Sequence, residues 1–105
     1  MASISDFQRL EMRIGKILSA EDIEGADKLY KLSVDVGDKR QLVAGLKGSY
    51  SKEDLSGKKI VVVTNLDPAK IRGVESQGML LAAQKGEDLA LLTVDKDIPL
   101  GTKIC

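Results

Sequence analysis

Between Asn65 and Met79 the chain carries Lys70 and Arg72 on either side of Ile71, then Ser76 and Gln77 between Gly73 and Gly78. In an extended loop, residues two apart point the same way. An ammonium and a guanidinium so placed are pure donors suited to phosphate oxygens. The Ser76 hydroxyl and the Gln77 amide can add hydrogen bonds to phosphate or ribose, or satisfy backbone groups within a turn. Gly73 and Gly78 are backbone devices that bend the loop and allow close approach. Over residues 58–73 there are four cations (Lys58, Lys59, Lys70, Arg72) and one acid (Asp67), a local charge of +3. Residues 74–97 hold two cations and five acids, a local charge of −3. The formal net charge of zero therefore hides a basic and an acidic half, and any contact with nucleic acid needs a patch rather than bulk charge.

Further candidates lie outside this segment. Lys28 and Lys31 either line the same groove or keep one end of a strand soluble. Arg13 sits on the polar face of the first strand. Asn65 reads as a turn-forming side chain as readily as a contact. Met79 opens an apolar run, the usual place for a core methionine. The residue inventory excludes much other chemistry. With no histidine and a single cysteine, Cys105, there is no histidine-based triad, no thiolate cage for a metal and no internal disulfide. No catalytic residue, metal or cofactor is expected. Phe7, Tyr30 and Tyr50 are the only aromatics, few for a surface that stacks splayed bases.

Short strands divided by turn signals must position these groups. Met12–Ala20 is a first strand interrupted by Gly15-Lys16, with Ile17 fitting either face. Residues 29–36 alternate, with Tyr30, Leu32, Val34 and Val36 on one face and Lys31, Ser33 and Asp35 on the other. Gly37-Asp38 is a two-residue hairpin signal leading into a partner strand from Lys39 to Leu46. Ser51-Lys52-Glu53-Asp54 resembles a capping box, and Gly57 stops the short helix it opens. Lys58-Lys59 precede Ile60–Thr64, a β-branched run suited to a buried central strand. Residues 65–78 are expected to be the longest irregular segment. Strands at 79–83 and 89–94 follow, then a loop through Pro99 and Gly101 with a short strand at 102–104.

The chain's 105 residues make a single domain. Five principal strands with one short helix between the third and fourth give an all-β fold. The order is that of the five-stranded OB-fold barrel, an SH3-like barrel usually lacking that helix. Its ligand loops would be Glu21–Lys28 and Asn65–Gly78. The start, Met1–Phe7, has no signal-peptide pattern and no apolar run reaches a membrane span, so a cytoplasmic protein with no membrane partner is expected.

Three stretches carry a family resemblance. Phe7 with Met12-Arg13-Ile14-Gly15-Lys16-Ile17, Ala26-Asp27-Lys28-Leu29-Tyr30-Lys31-Leu32, and Asn65 through Ala83 resemble the tRNA-binding domain family. That family includes the C-terminal domain or beta subunit of methionyl-tRNA synthetases, free-standing tRNA-binding proteins and the endothelial-monocyte-activating polypeptide. The resemblance covers about residues 7–104. It implies an OB-fold core over about 7–85 and a C-terminal extension over 86–105 that helps build a homodimer. It also implies a noncatalytic clamp that recognises tRNA by shape beside the catalytic part of methionyl-tRNA synthetase, and it favours Ser76 and Met79 as contacts. Asp67 departs from the lysine common there in the family and should weaken phosphate attraction. Two alternatives of the same fold are a dimeric chaperone, which should present an apolar groove, and a pure dimerisation module.

Overall fold

The alternation over residues 30–36 becomes the two faces of the central hairpin. In the computed structural model, which describes residues 1–105, Tyr30, Leu32, Val34 and Val36 are buried, while Lys31, Ser33 and Asp35 reach the surface. In chain order the elements are α1 (Ile4–Gln8), β1 (Met12–Ile23), β2 (Ala26–Asp35), β3 (Lys39–Ala44), α2 (Lys52–Leu55) and β4 (Lys59–Val63). Then follow β5 (Ala69–Ile71), β6 (Val74–Ser76), β7 (Met79–Leu80), β8 (Ala82–Lys85) and β9 (Asp88–Leu91). A five-stranded antiparallel sheet has the order β3-β2-β1-β4-β7, and β5–β6 and β8–β9 are separate hairpins. The expected all-β, OB-like architecture is present, with α2 between the third and fourth strands. No helix is long and apolar enough to cross a membrane.

β1 serves two partners, and its irregularity lies where the sequence left the register open. Residues 12–16 pair with β4, and residues 16–23 pair with β2. The β2 ladder slips between Ile17 and Ser19, so Leu18 bulges out, 37% exposed, while Ile17 is fully buried. Gly15 is not the bulge. A Cβ there would lie 2.8 Å from Val36 Cγ1, so glycine lets β1 bend tightly onto the end of β2.

Two other expectations are corrected, and one helix is present that the sequence reading did not anticipate. Glu21–Lys28 is not a loop: β1 runs to Ile23, β2 restarts at Ala26, and only Glu24-Gly25 turn the chain. Polar residues disguised this, yet Glu21 pairs with Lys31 and Asp22 with Lys47 and Lys52 on the strand surface. The β2–β3 turn is one residue longer than expected, because Asp35 pairs with Lys39. The N-terminal segment forms α1, opened by Ser3, whose Oγ accepts from Asp6 N while the Asp6 carboxylate accepts from Ser3 N. The same signal at Ser51 gives half of that pattern, with Ser51 Oγ accepting from Asp54 N.

β4 is buried on both faces. Ile60 and Val62 join Ile17, Leu32, Leu42, Leu46 and Leu55 in the main core. Val61 and Val63 join Met12 and Ile14 in a second cluster, covered by Leu81, Val94, Leu100 and Ile104. The C-terminal segment is thus a lid on this second core. Ile14 N donates to Thr102 O at 2.9 Å and Ile104 N to Met12 O at 2.8 Å. These bonds occupy the edge of β1 that β2 leaves open, so the expected terminal strand is a single bridge, Arg13 to Lys103.

The sheet is not closed into a barrel by a backbone ladder; mostly side chains bridge the gap between β3 and residues 75–78. Gln77 N donates to Gln41 O at 2.8 Å, and Gln77 Oε1 accepts from Gln41 N at 3.0 Å. Gln41 Nε2 donates to Glu75 O at 2.8 Å, and Val43 N donates to Ser76 Oγ at 3.1 Å. Side chains thereby satisfy the free edge of β3. Gly78 permits the approach: it has φ +143°, and a Cβ there would lie 2.8 Å from Val63 O. Gly78→Ala is expected to destabilise the fold by at least about 2 kcal/mol, read as a lower denaturant midpoint.

Candidate functional site

The stretch expected to be irregular contains a regular hairpin. β5 and β6 pair as Ala69 with Ser76, Lys70 with Glu75 and Ile71 with Val74, leaving Arg72-Gly73 as the turn. Both turn residues have positive φ, 54° and 78°, which is the signature of a tight two-residue turn whose twist matches the flanking strands. Lys70 and Arg72 therefore do not project together as an extended loop would require. Lys70 stands on the exposed face opposite Glu75, whereas Arg72 leaves the strand and lines a groove with Gly25, Asp27 and Lys28. The fold brings Arg72 together with Lys28, near the start of β2 and more than forty positions away in the chain.

A second groove crosses the outer face of β1, β2 and β3. Ser19 stands opposite Ser33, and Ser33 opposite Gln41. Lys31, Lys39 and Arg40 line it, and Leu32 is its only apolar member. Lys31 is held 3.1 Å from Glu21. Arg40 donates from Nη1 to Thr64 O at 2.5 Å and from Nε to Asp38 at 3.2 Å, tying β3 to the end of β4. Lys39 is exposed and unpaired, beside a depression that also includes Leu66 and Pro68. Sequence reading missed Ser19, Ser33, Lys39, Arg40 and Gln41. The available signal was the period-two polar face of β2, which needed the hairpin register to extend it across to β3.

Other candidates are engaged within the protein. Ser76 is buried, accepting from Val43 N and donating to Gly78 O at 3.0 Å. Gln77 spends its side-chain carbonyl on Gln41 N and lines the β1–β3 groove. Asn65 accepts from Glu11 N and donates to Arg9 O, both at 2.8 Å, fastening the N-terminal segment to the end of β4. Arg13 donates to Glu11 at 2.7 Å and to Gly101 O at 2.8 Å, so it anchors the C-terminal segment. Met79, whose place in an apolar run suits the core but which the family resemblance favours as a contact, is 53% exposed and not part of the core. It lies on β7, an outermost strand of the sheet.

The linear charge cluster does not survive folding as one patch. Lys59 begins β4 and bonds Asp97, while Lys58 lies 5.7 Å over the Tyr50 ring. Lys70 follows the other end of β4, a strand roughly 13 Å long. Ion pairs remove more cations from play. The Lys52 bond first, and then the Lys47 bond, hold the Asp22 carboxyl below the usual aspartate range. Lys28, Lys39, Lys70 and Arg72 make no ion pair; Lys39 lines the β1–β3 groove, Lys28 and Arg72 share the other, and Lys70 is exposed on β5. Ser76→Ala should lower stability by about 1–3 kcal/mol, because it leaves Val43 N–H without a partner. Ser76→Thr, which keeps the hydroxyl, should recover part of the loss in the same chemical-denaturation measurement.

Comparison with known proteins agrees with this architecture. The family model described as "Putative tRNA binding domain" matches residues 12–103. The chain is 55% identical over 100 residues to a methionine–tRNA ligase of Thermococcus onnurineus, covering 94% of this chain and 14% of that protein. A methionine–tRNA ligase of Caldanaerobacter subterraneus is 53% identical over 103 residues, covering 97% of this chain and 16% of that protein. Among solved structures, a MetRS related protein from Pyrococcus horikoshii superposes with a TM-score of 0.93 at 36% identity, over 100% of this chain and 98% of that one. The chaperone CsaA from Bacillus anthracis superposes with a TM-score of 0.91 at 33% identity, over 100% and 99%. With these matches spanning nearly all of its length, the chain belongs to the tRNA-binding domain family.

Proposed function

We propose that the chain is a noncatalytic module that binds tRNA by shape and serves methionyl-tRNA synthetase. The observation that carries this reading is a pair of polar grooves, one lined by Lys31, Lys39 and Arg40 with Ser19, Ser33 and Gln41, the other bringing together Lys28 and Arg72, neither of which has an ion-pair partner. Ammonium and guanidinium groups suit phosphates, and hydroxyls and amides suit ribose 2′-OH groups. No aromatic ring lines either groove: Tyr30 is buried and the Tyr50 hydroxyl accepts from Leu91 N. Contacts to the backbone rather than to stacked bases follow from that lining. Asp67 and Glu75 stand close by in sequence and temper the attraction, making it short-ranged and sensitive to salt.

In this reading the module works in the cytoplasm and holds tRNA near a catalytic part, so that the second encounter occurs at a high effective concentration. It also works as a homodimer. The β8–β9 hairpin supports this, since Leu89 and Leu91 pack inward while Ala83 and Ala90 leave a small-residue face exposed. Likeness to a chaperone favours a second reading, a protein-interaction module, which would need an apolar groove. The polar lining of the β1–β3 groove supports the RNA reading over it.

Fluorescence anisotropy with whole tRNA, an isolated stem-loop and single-stranded RNA at several salt concentrations tests the proposal. Whole tRNA should bind tightest, with log affinity falling linearly in log salt. Lys39→Gln and Lys70→Gln should each weaken binding and reduce the salt slope by about 1. Folded protein with no RNA affinity at low salt would overturn this reading in favour of protein interaction.

A further inference from the structure

Arg72 is the only non-glycine residue of the chain with positive φ. It occupies the first position of a turn that asparagine or glycine adopts more cheaply. Its guanidinium makes no hydrogen bond or ion pair in the protein, so nothing in the fold itself offsets that conformation. Backbone strain without local compensation at an exposed tip points to a use outside the fold. The turn aims Arg72 at the tip of the neighbouring β1–β2 hairpin, where it shares a groove with Lys28 and Asp27. Lys28 also lacks a partner. Two cations and one carboxylate leave a single net positive charge in the groove.

We propose that Arg72 and Lys28, on the tips of two different hairpins, clamp one internal phosphodiester of the bound RNA. This rests on the tRNA-binding reading and specifies one subsite within it. The left-handed turn holds the guanidinium over the groove, where its planar fork takes two phosphate oxygens while the Lys28 ammonium neutralises the same group from the other side. Asp27 sets the charge of the preferred ligand. A phosphodiester carries one negative charge and matches the groove, whereas a terminal phosphate monoester, with nearly two, meets the Asp27 carboxylate.

Binding and melting of the intact chain with Arg72→Asn, Lys28→Gln and the double variant test the clamp. Arg72→Asn creates the preferred Asn-Gly turn, so its melting temperature should equal or exceed that of the parent by a few degrees. Its affinity for tRNA at low salt should nonetheless drop about five- to tenfold, with the salt slope reduced by about 1. Lys28→Gln should behave alike in binding, and the double variant should lose less than the product of the two single losses, because both act on one phosphate. Removing the 5′-phosphate of the tRNA should change nothing. The clamp is overturned if Arg72→Asn binds like the parent, if the single losses multiply as independent ones, or if dephosphorylation abolishes the effect of Arg72. Absence of RNA binding by the parent chain would instead bring down the tRNA-binding reading itself, and the clamp with it.

Discussion

The fold depends on bridging the open edges of a sheet whose outer strands share no backbone ladder. β3 and β7 are the outer strands, and the bonds across the gap run from β3 to residues 75–77, through the side chains of Gln41, Ser76 and Gln77 and one backbone bond. Side-chain acceptors stand in for missing strand carbonyls and leave no buried polar side-chain atom without a partner. Gly78 makes this seam possible, since any side chain there would strike the Val63 carbonyl. Because the seam anchors residues 75–78, it also fixes the root of the β5–β6 hairpin and sets where its tip lies. Site geometry is in this sense a consequence of how that open edge is bridged.

Electrostatics follow the same logic of local commitment. A chain with sixteen cations and sixteen acids has no long-range field to attract a polyanion. Folding sorts the cations instead. Arg13 and Arg40 become braces to backbone carbonyls, and Lys47, Lys52 and Lys59 are held by Asp22 and Asp97. Lys28, Lys39, Lys70 and Arg72 are among those that remain without ion pairs on the surface, Lys28 and Arg72 in one groove and Lys39 in another. Such a surface acts at contact distance, which suits recognition of a shaped backbone more than nonspecific capture.

Elements with strong periodicity were legible before folding. The alternation of β2, the β-branched run of β4 and the serine-capped α2 all appear at the expected places, because each reflects a local preference acting on neighbouring residues. The continuation of β1 through Glu21 and Asp22 was not legible, since charged residues on a strand surface look like a loop until their partners are known. Nor was the β5–β6 hairpin, whose Arg72-Gly73 turn carries no asparagine or aspartate to announce it. For the site, the segment was legible and the roles were not. Ser76 and Asn65 have the chemistry of ligand contacts, and only their partners 33 and 54–56 positions away show them occupied.

Sequence alone determined the all-β character, the position of the short helix, the core face of the central hairpin and the segment that bears the family motif. These depend on side-chain type at short spacing, where burial and turn propensity act locally. Tertiary structure decided which cations stay free, that Arg72 meets Lys28 rather than Lys70, and that the polar face of β2 extends over β3. Those outcomes depend on strand register and on contacts between distant residues, and a charge has no function in binding until its nearest neighbours in space are known.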